Sequence, residues 1–234
     1  MTDLLRISPA IAERFPTYRG LVLRATGLTN GPSTDRSRAM LREAETQVRQ
    51  RFGTTPPAEH PHLVAWQDAF RAFGVKPKKM MNSAEALITR VMKGGELPAI
   101  NGLADAYNAV SVRFAVPCGG EDLAHVVGPV TLKVADGTEL FETNKDGAHL
   151  TDHPAPGEVV WADEAGVTCR AWNWRQGTRT RLTEDTQEAY FLFDALPPMT
   201  AEELERAGNM LETLLGELSP SCQITRVRLG HWAT

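Results

Sequence analysis

The chain has 234 residues, of which 42% are hydrophobic and 23% are charged, a composition typical of a folded globular protein. Charged residues, prolines or glycines interrupt every apolar run well before the roughly 20 residues that a membrane-spanning helix needs, so a membrane protein is excluded. Residues 1–16 carry charges throughout and show no secretion signal, and we therefore expect a cytoplasmic protein.

The first part of the chain is predicted to form one strand and then three amphipathic helices. Alternation of polar and apolar residues predicts a strand over residues 18–25. Apolar residues at every fourth position predict a helix over residues 34–52, which Gly53 ends. Further helices are predicted over residues 61–74 and, from a capping box at Asn82, over residues 82–94.

The second part of the chain is predicted to be mainly β. A helix precedes it over residues 101–114, where the apolar residues share one face. Alternating patterns then predict strands, two of which are joined by a four-residue turn. The predicted strands cover residues 130–135, 140–142, 158–162, 166–174 and 190–195. A capping box at Thr200 begins a helix that ends at Leu218, and a last strand covers residues 222–229.

Charge is distributed unevenly over these elements. Residues 1–95 hold 15 basic and 8 acidic side chains, a net charge of +7, whereas residues 96–234 hold 10 and 21, a net charge of −11. Arginines follow the outer face of the helix predicted over residues 34–52. The pattern indicates a surface for a polyanion, although solvated helix faces explain it equally well.

Two weaker patterns have a functional and a structural interpretation. His149 and His153 have the i, i+4 spacing of metal ligands on a helix, but the following prolines favour a polar loop. Cys118 lies beside two glycines, yet no histidine is placed by sequence to activate it as a nucleophile. The three cysteines are expected to be reduced thiols. No nucleotide-binding, serine-hydrolase or zinc-protease motif is present in the sequence.

Two segments are typical of a ligand site. In residues 108–122, NAVSVRFAVPCGGED, a helix end, a proline and two glycines predict a turn whose uncovered amides could hold an anion or a carbonyl oxygen. A tight structural turn remains an alternative. In residues 169–180, CRAWNWRQGTRT, alternation places Arg170, Trp172 and Trp174 on one face of a strand. The mixture of aromatic and polar residues suits a ligand, although an exposed strand edge would tolerate it too.

Four runs, in order, resemble the B3/B4 editing domain of the phenylalanyl-tRNA synthetase beta chain. They are NGLADAYNAVSVRFAVPCGGEDL, residues 130–141, GEVVWADEAGVTCRAWNWRQ and LTEDTQEAYFLFDAL. Free-standing B3/B4 proteins also have a helical segment similar to WQDAFRAFG, KPKKM and SAEALITR, so the resemblance spans about residues 60–200. In the synthetase this domain holds a pocket that hydrolyses tyrosine wrongly attached to phenylalanine tRNA.

The resemblance implies an α+β fold. We expect a single layered domain over residues 1–234, in which a basic helical region, residues 1–95, packs on a mainly β body, residues 96–234, that carries the pocket. The synthetase motif Pro-x-His-x-x-Asp corresponds to residues 117–122, so Gly119 takes the place of the histidine. The synthetase glutamate that recognises the tyrosine hydroxyl lies in the strand matching residues 190–195, where Asp194 is the nearest acidic candidate.

The resulting expectation is hydrolysis of a mischarged aminoacyl-tRNA without a metal or another cofactor. Gly119 and Gly120 would polarise the ester carbonyl, and Asp122 or Asp194 would bind the α-ammonium group. The further candidates for contact with the amino acid are Asn108, Ser111, Arg170, Asn173, Trp174, Arg175 and Gln176. Those for contact with tRNA phosphates are Lys76, Lys78 and Lys79.

A non-catalytic binding module is the alternative. Such a module would retain a free amino acid or a modified nucleoside, or recognise a partner protein, without turnover. The missing histidine fits this alternative, because Gly119 cannot supply the side chain that the synthetase has at that position.

Overall fold

A computed structural model of the protein describes residues 4–145 and 147–232 and has the predicted α+β fold. The helices are α1 (Pro9–Arg14), α2 (Asp35–Phe52), α3 (Pro61–Ala72), α4 (Ser83–Met92), α5 (Gly102–Phe114) and α6 (Ala201–Leu218). The strands are β1 (Leu5–Ile7), β2 (Arg19–Thr26), β3 (Cys118–Asp122), β4 (Val130–Val134), β5 (Phe141–Lys145), β6 (Ala148–Asp152), β7 (Val159–Ala162), β8 (Val167–Arg170), β9 (Arg175–Gln176), β10 (Glu188–Ala195) and β11 (Gln223–Gly230).

Two larger sheets form the β part of the fold. The first has the antiparallel order β11-β2-β10-β3, and β10 pairs with β2 along its whole length. The second has the order β1-β4-β7-β8-β9, in which β1 and β4 are parallel and the other neighbours are antiparallel. Strands β5 and β6 make a separate two-stranded ribbon.

Strand β10 separates two hydrophobic cores because its side chains alternate between the faces of its sheet. Phe191 and Phe193 face α5 and α6 in one core. Tyr190 and Leu192 face the second sheet and α3 in the other core. The first sheet therefore lies between a helical layer and the second sheet.

The N-terminal helices share their cores with the rest of the chain. Leu41 and Val48 of α2 pack with Ile88 of α4 and with Val112 of α5. Trp66 of α3 packs in the core between the two sheets. Capping boxes begin α2 at Thr34 and α6 at Thr200, as the sequence predicts for α6.

Three predicted elements differ from the structure, and the first is the polar loop expected around His149, which lies in strand β6 instead. Residues 118–122 are not a glycine turn but strand β3, because pairing with β10 outweighs the low strand propensity of glycine. The strand predicted over residues 166–174 ends at Arg170 and is followed by a turn over residues 171–174. In the described part of the chain, no helix is both long and apolar enough to cross a bilayer.

Trp66 is predicted to be a main contributor to stability, because it is fully buried and its ring contacts those of His62, Phe70 and Trp172. Trp66→Ala should lower the free energy of unfolding by about 3 to 5 kcal/mol, measured by urea denaturation. The half-buried Trp232 provides the control, and Trp232→Ala should have a smaller effect. Equal losses in the two variants would contradict this account of the core.

Candidate functional site

A cavity of about 320 Å³ lies where both larger sheets meet α4 and α5. Its floor comes from β3 and β10, and its walls come from β7, β8, the turn over residues 171–174, α5 and the start of α4. The residues that line it are Ser83, Ala86, Leu87, Pro98, Ile100, Tyr107, Asn108, Cys118, Gly119, Glu121, Trp161, Cys169, Trp172, Asn173, Trp174, Gln176, Tyr190, Leu192 and Asp194.

Strand register explains the floor of the cavity. In the β3–β10 ladder Glu121 lies opposite Tyr190, and Gly119 lies opposite Leu192. Directly opposed residues of an antiparallel pair point to the same face, so these four share the face that also carries Asp194. Two carboxyl groups from different strands thereby enter one cavity.

The two adjacent glycines of β3 have different surroundings. A Cβ atom built at Gly119 would meet nothing within 4 Å, and its φ lies outside the left-handed region. A Cβ atom at Gly120 would lie 2.8 Å from Leu182 Cδ1 and 2.9 Å from Phe191 Cδ1. Gly119 therefore leaves space in the cavity, whereas Gly120 packs closely against the core on the other face. The sequence predicts uncovered amides in a turn at these glycines, but in the structure they lie in a strand that is paired with β10.

Asp194 is buried at one end of this floor and is held by two side chains. The Tyr18 hydroxyl donates to Asp194 Oδ1 at 2.6 Å, and Asn173 Nδ2 donates to Oδ2 at 3.3 Å. Burial raises the pKa of Asp194 to about 7, although both hydrogen bonds lower it. Asn173 Oδ1 is buried and has no hydrogen-bond partner among the described residues. This amide oxygen is an acceptor available to a ligand.

Glu121 is the second carboxyl group of the cavity and is also buried. Burial raises its pKa to about 8, and a hydrogen bond donated by the Thr180 hydroxyl lowers it. Gln176 Nε2 lies close by and donates to the Gly120 carbonyl at 2.5 Å. Both acidic groups of the cavity therefore titrate near neutral pH, which is typical of functional sites.

The turn over residues 171–174 shapes one wall of the cavity. Ala171 and Trp172 have φ angles of 43° and 65°, in the left-handed region that non-glycine residues seldom adopt. Buried Glu158 supports this turn, because its Oε1 accepts from the Ala171 amide at 2.9 Å and from Arg170 Nε at 3.0 Å. The turn directs Trp172, Asn173 and Trp174 to the cavity.

Five of the predicted site residues do not line the cavity. Gly120 faces the core, and Ser111 donates to the Val116 carbonyl. Asp122 accepts from the Thr186 hydroxyl and from the Ala124 amide. Arg170 pairs with Asp152 and Glu158. Arg175 is exposed and donates to the Asn144 carbonyl.

The remaining candidates, Asn108, Gly119, Asn173, Trp174, Gln176 and Asp194, lie together in the cavity. The sequence does not identify four other residues that line the cavity, Tyr107, Glu121, Trp161 and Tyr190. It also does not identify the contact between Tyr18 and Asp194. For Glu121 a signal existed, because alternation along a strand would have placed residue 121 on the face of residue 119. Nothing in the sequence near Tyr18 indicates its contact with Asp194.

Neither cysteine of the cavity is an activated nucleophile. Burial raises the pKa of the Cys118 and Cys169 thiols, so both are protonated at neutral pH. The two histidines with metal-ligand spacing are exposed and have separate partners, Glu142 for His149 and the Glu139 carbonyl for His153. Across residues 4–145 and 147–232, no three potential ligands come together in a metal site.

The basic side chains of the N-terminal region differ in whether they have acidic partners. On α2, Arg36 pairs with Glu217 at 2.7 Å, and both Arg42 and Arg49 contact Glu45. By contrast Lys76, Lys78 and Lys79 are exposed and form no ion pair within the described residues. These three lysines, named here the lysine segment, lie between α3 and α4, and the Ser83 amide that follows donates to the Asn173 carbonyl at 2.9 Å.

Comparisons with known proteins give a family match and similarity to solved structures. A sequence profile of the B3/4 domain matches residues 65–213. An N-terminal fragment of the phenylalanyl-tRNA synthetase beta-subunit from Pyrococcus horikoshii is similar with 11% identity and a TM-score of 0.46. That similarity covers 97% of this chain and 54% of the fragment, so the chain spans about half of the fragment's length. A comparison with curated proteins finds no match.

The two glycines of β3 are predicted to respond differently to the same substitution. Gly119→Val should change the free energy of unfolding by no more than about 0.5 kcal/mol, because its side chain would enter open space. Gly120→Val should lower it by about 1 to 3 kcal/mol, because its side chain would overpack the core. Urea denaturation of both variants tests this contrast. A large loss for Gly119→Val would show that the cavity is smaller than described.

Proposed function

The chain belongs to the B3/4 domain family, and we propose that it hydrolyses the ester bond of a mischarged aminoacyl-tRNA. The observation that carries the proposal is the cavity of about 320 Å³, which has the size of a small-molecule site and holds Asp194 beside the unpaired Asn173 oxygen. The tRNA partner is supported by the family and by the resemblance of about residues 60–200 to the synthetase editing domain.

The aminoacyl group binds through its α-ammonium group. Asp194 is the partner, since Asp122 is committed to Thr186 and does not line the cavity. Asn173 Oδ1 supplies a second acceptor next to Asp194. A charge-assisted hydrogen bond to a buried carboxylate is stronger than one between neutral groups, so this end of the cavity fixes the orientation of the substrate.

Water is the nucleophile in this proposal, because the thiols in the cavity are protonated. The oxygen of a water molecule bonds to the ester carbonyl carbon, and the bond from that carbon to the ribose oxygen breaks. The proton of the water passes to the ribose oxygen, with the vicinal ribose hydroxyl as relay. An aminoacyl ester is already reactive, so positioning contributes much of the rate.

Two features serve the carbonyl end of the substrate. The space beside Gly119 accommodates the water or the ester group. The indole N–H of Trp161, a residue that lines the cavity, has no hydrogen-bond partner among the described residues. This donor takes the role assigned from the sequence to the glycine amides, which is stabilisation of the negative charge that develops on the carbonyl oxygen.

A binding module without turnover is the second candidate. The observation that favours it is the open space at Gly119, where the synthetase motif has a histidine. A bound aminoacyl group would then be retained rather than released. Release of the amino acid from tRNA distinguishes the hydrolase from the binding module.

A panel of misacylated tRNAs should therefore show enzyme-dependent release of at least one amino acid. Gly119→Val, which fills the cavity, and Asp194→Asn, which removes the ammonium partner, should each lower kcat/KM at least about tenfold. Arg206→Ala, which changes an exposed side chain of α6, is the control and should react at the wild-type rate. Release from no member of the panel would favour the binding module.

The pH dependence of this reaction provides a second readout. Asp194 must be ionised to bind the ammonium group, so kcat/KM of the wild type should rise with pH through about 7 in the free enzyme. The rise should be absent in Asp194→Asn after subtraction of spontaneous hydrolysis. An unchanged profile in this variant would assign the titration to another group.

The lysine segment is predicted to contact tRNA phosphates. Charge reversal of Lys76, Lys78 and Lys79 to Glu should weaken tRNA binding at least about tenfold and reduce its dependence on salt concentration. The control reverses Arg206 of α6 and Arg228 of β11, which are exposed outside the basic N-terminal region. Equal affinity of both variants for tRNA would show that the lysine segment has another purpose.

A further inference from the structure

The cavity is lined by acidic and aromatic groups. Glu121 and Asp194 line it, and no lysine, arginine or histidine of residues 4–145 and 147–232 does. The nearby arginines are engaged elsewhere, Arg170 with Glu158 and Arg179 with Asp163. A ligand that brings positive charge would therefore find two buried carboxyl groups without a cationic partner in the cavity.

The two carboxyl groups lie at opposite ends of the floor. Glu121 is opposite Tyr190 in the ladder, and Asp194 is four residues further along β10 on the same face. With a rise of about 3.3 Å per residue, their backbone positions are about 13 Å apart. One small cation cannot bridge them, but the two ends of one extended molecule can.

The wall between these ends is aromatic. Trp161, Trp172 and Tyr190 line it, and the only charges beside them on the floor are the two carboxyl groups. Aromatic faces attract cations and pack well against methylene groups. This wall suits an aliphatic chain that ends in an ammonium group.

The orientation follows from Asn173. Its unpaired Oδ1 lies in a side chain that is only 6% exposed, and its Nδ2 contacts Asp194. Its backbone carbonyl accepts from the Ser83 amide at the start of α4, next to the lysine segment. The α-ammonium group therefore binds at the Asp194 end, near the segment assigned to tRNA, and the amino-acid side chain extends towards Glu121.

We propose, resting on the aminoacyl hydrolysis proposed above, that the cavity selects aminoacyl groups with a cationic aliphatic side chain, as in lysine or ornithine. The α-ammonium group binds Asp194 and Asn173 Oδ1, and the side-chain ammonium group binds Glu121. An uncharged side chain of similar length leaves Glu121 without this partner. Selectivity that depends on a charged partner for a buried carboxyl group is stronger than selectivity by size alone.

Binding of amino-acid amides, which cannot undergo ester hydrolysis, tests this selectivity on the full-length protein. Isothermal titration calorimetry should show that L-lysinamide binds at least about tenfold more tightly than L-norleucinamide, Nε-acetyl-L-lysinamide or L-tyrosinamide. Nε-acetyl-L-lysinamide keeps the aliphatic side chain and the α-ammonium group but lacks the side-chain charge. Equal or tighter binding of any of the three ligands with an uncharged side chain, or no binding of lysinamide, would overturn the proposal.

Glu121→Gln locates the selectivity. This variant should lose the preference for lysinamide over norleucinamide while norleucinamide affinity stays within about twofold of the wild type. A preference that survives in folded Glu121→Gln would overturn the role of Glu121. Should this variant not fold, the comparison between lysinamide and its acetylated form on the wild type still decides the proposal.

The outcomes separate this proposal from the proposed function. Preferential binding of lysinamide without hydrolysis of lysyl-tRNA or ornithyl-tRNA supports the cation selectivity and overturns the hydrolysis. Hydrolysis of tRNAs that carry uncharged amino acids, with no preference for lysinamide, supports the hydrolysis and overturns the cation selectivity.

Discussion

The left-handed turn that holds Trp172 is the constraint on which the site depends. The Trp172 ring is buried against Phe15, Tyr18, Trp66 and Phe73, with centroid distances of 4.9 to 6.5 Å. Phe15 follows α1, Tyr18 precedes β2, and Trp66 and Phe73 lie in α3 and directly after it. One side chain therefore joins the N-terminal segments to the second sheet. Packing on this scale outweighs the roughly 1 to 3 kcal/mol that an unfavourable φ angle costs.

The same turn also positions polar groups of the cavity. Asn173 follows Trp172 directly, so the fixed ring also fixes the amide that contacts Asp194 and the carbonyl that accepts from Ser83. The start of α4 and the carboxyl group of β10 are thereby tied to one backbone segment. The polar groups of the cavity converge on a closely packed segment, as expected for a site that orients its ligand through hydrogen bonds.

The sequence alone predicts the elements better than it predicts their contacts. Periodic patterns located all the long helices to within a few residues, since each has one apolar stripe. The glycine segment at residues 118–122 was misassigned, because its strand exists only through pairing with β10. The site residues that lie close together in sequence, Asn173 and Gln176, were found, whereas Tyr18, which is 176 residues from Asp194, was not. The arginines of α2 form ion pairs with residues that no local pattern identifies.

The buried carboxyl groups link stability, protonation and ligand binding. Because burial raises the folded-state pKa of Asp194 to about 7 and of Glu121 to about 8, the stabilisation that protonation gives is complete below pH 4. It is lost as the pH rises through these values, when both groups become buried anions. A cationic ligand reverses this loss, because it pairs with the ionised forms and lowers both pKa values. In the selectivity proposed above, a cationic ligand would therefore bind in exchange for protons, and its affinity would depend on pH.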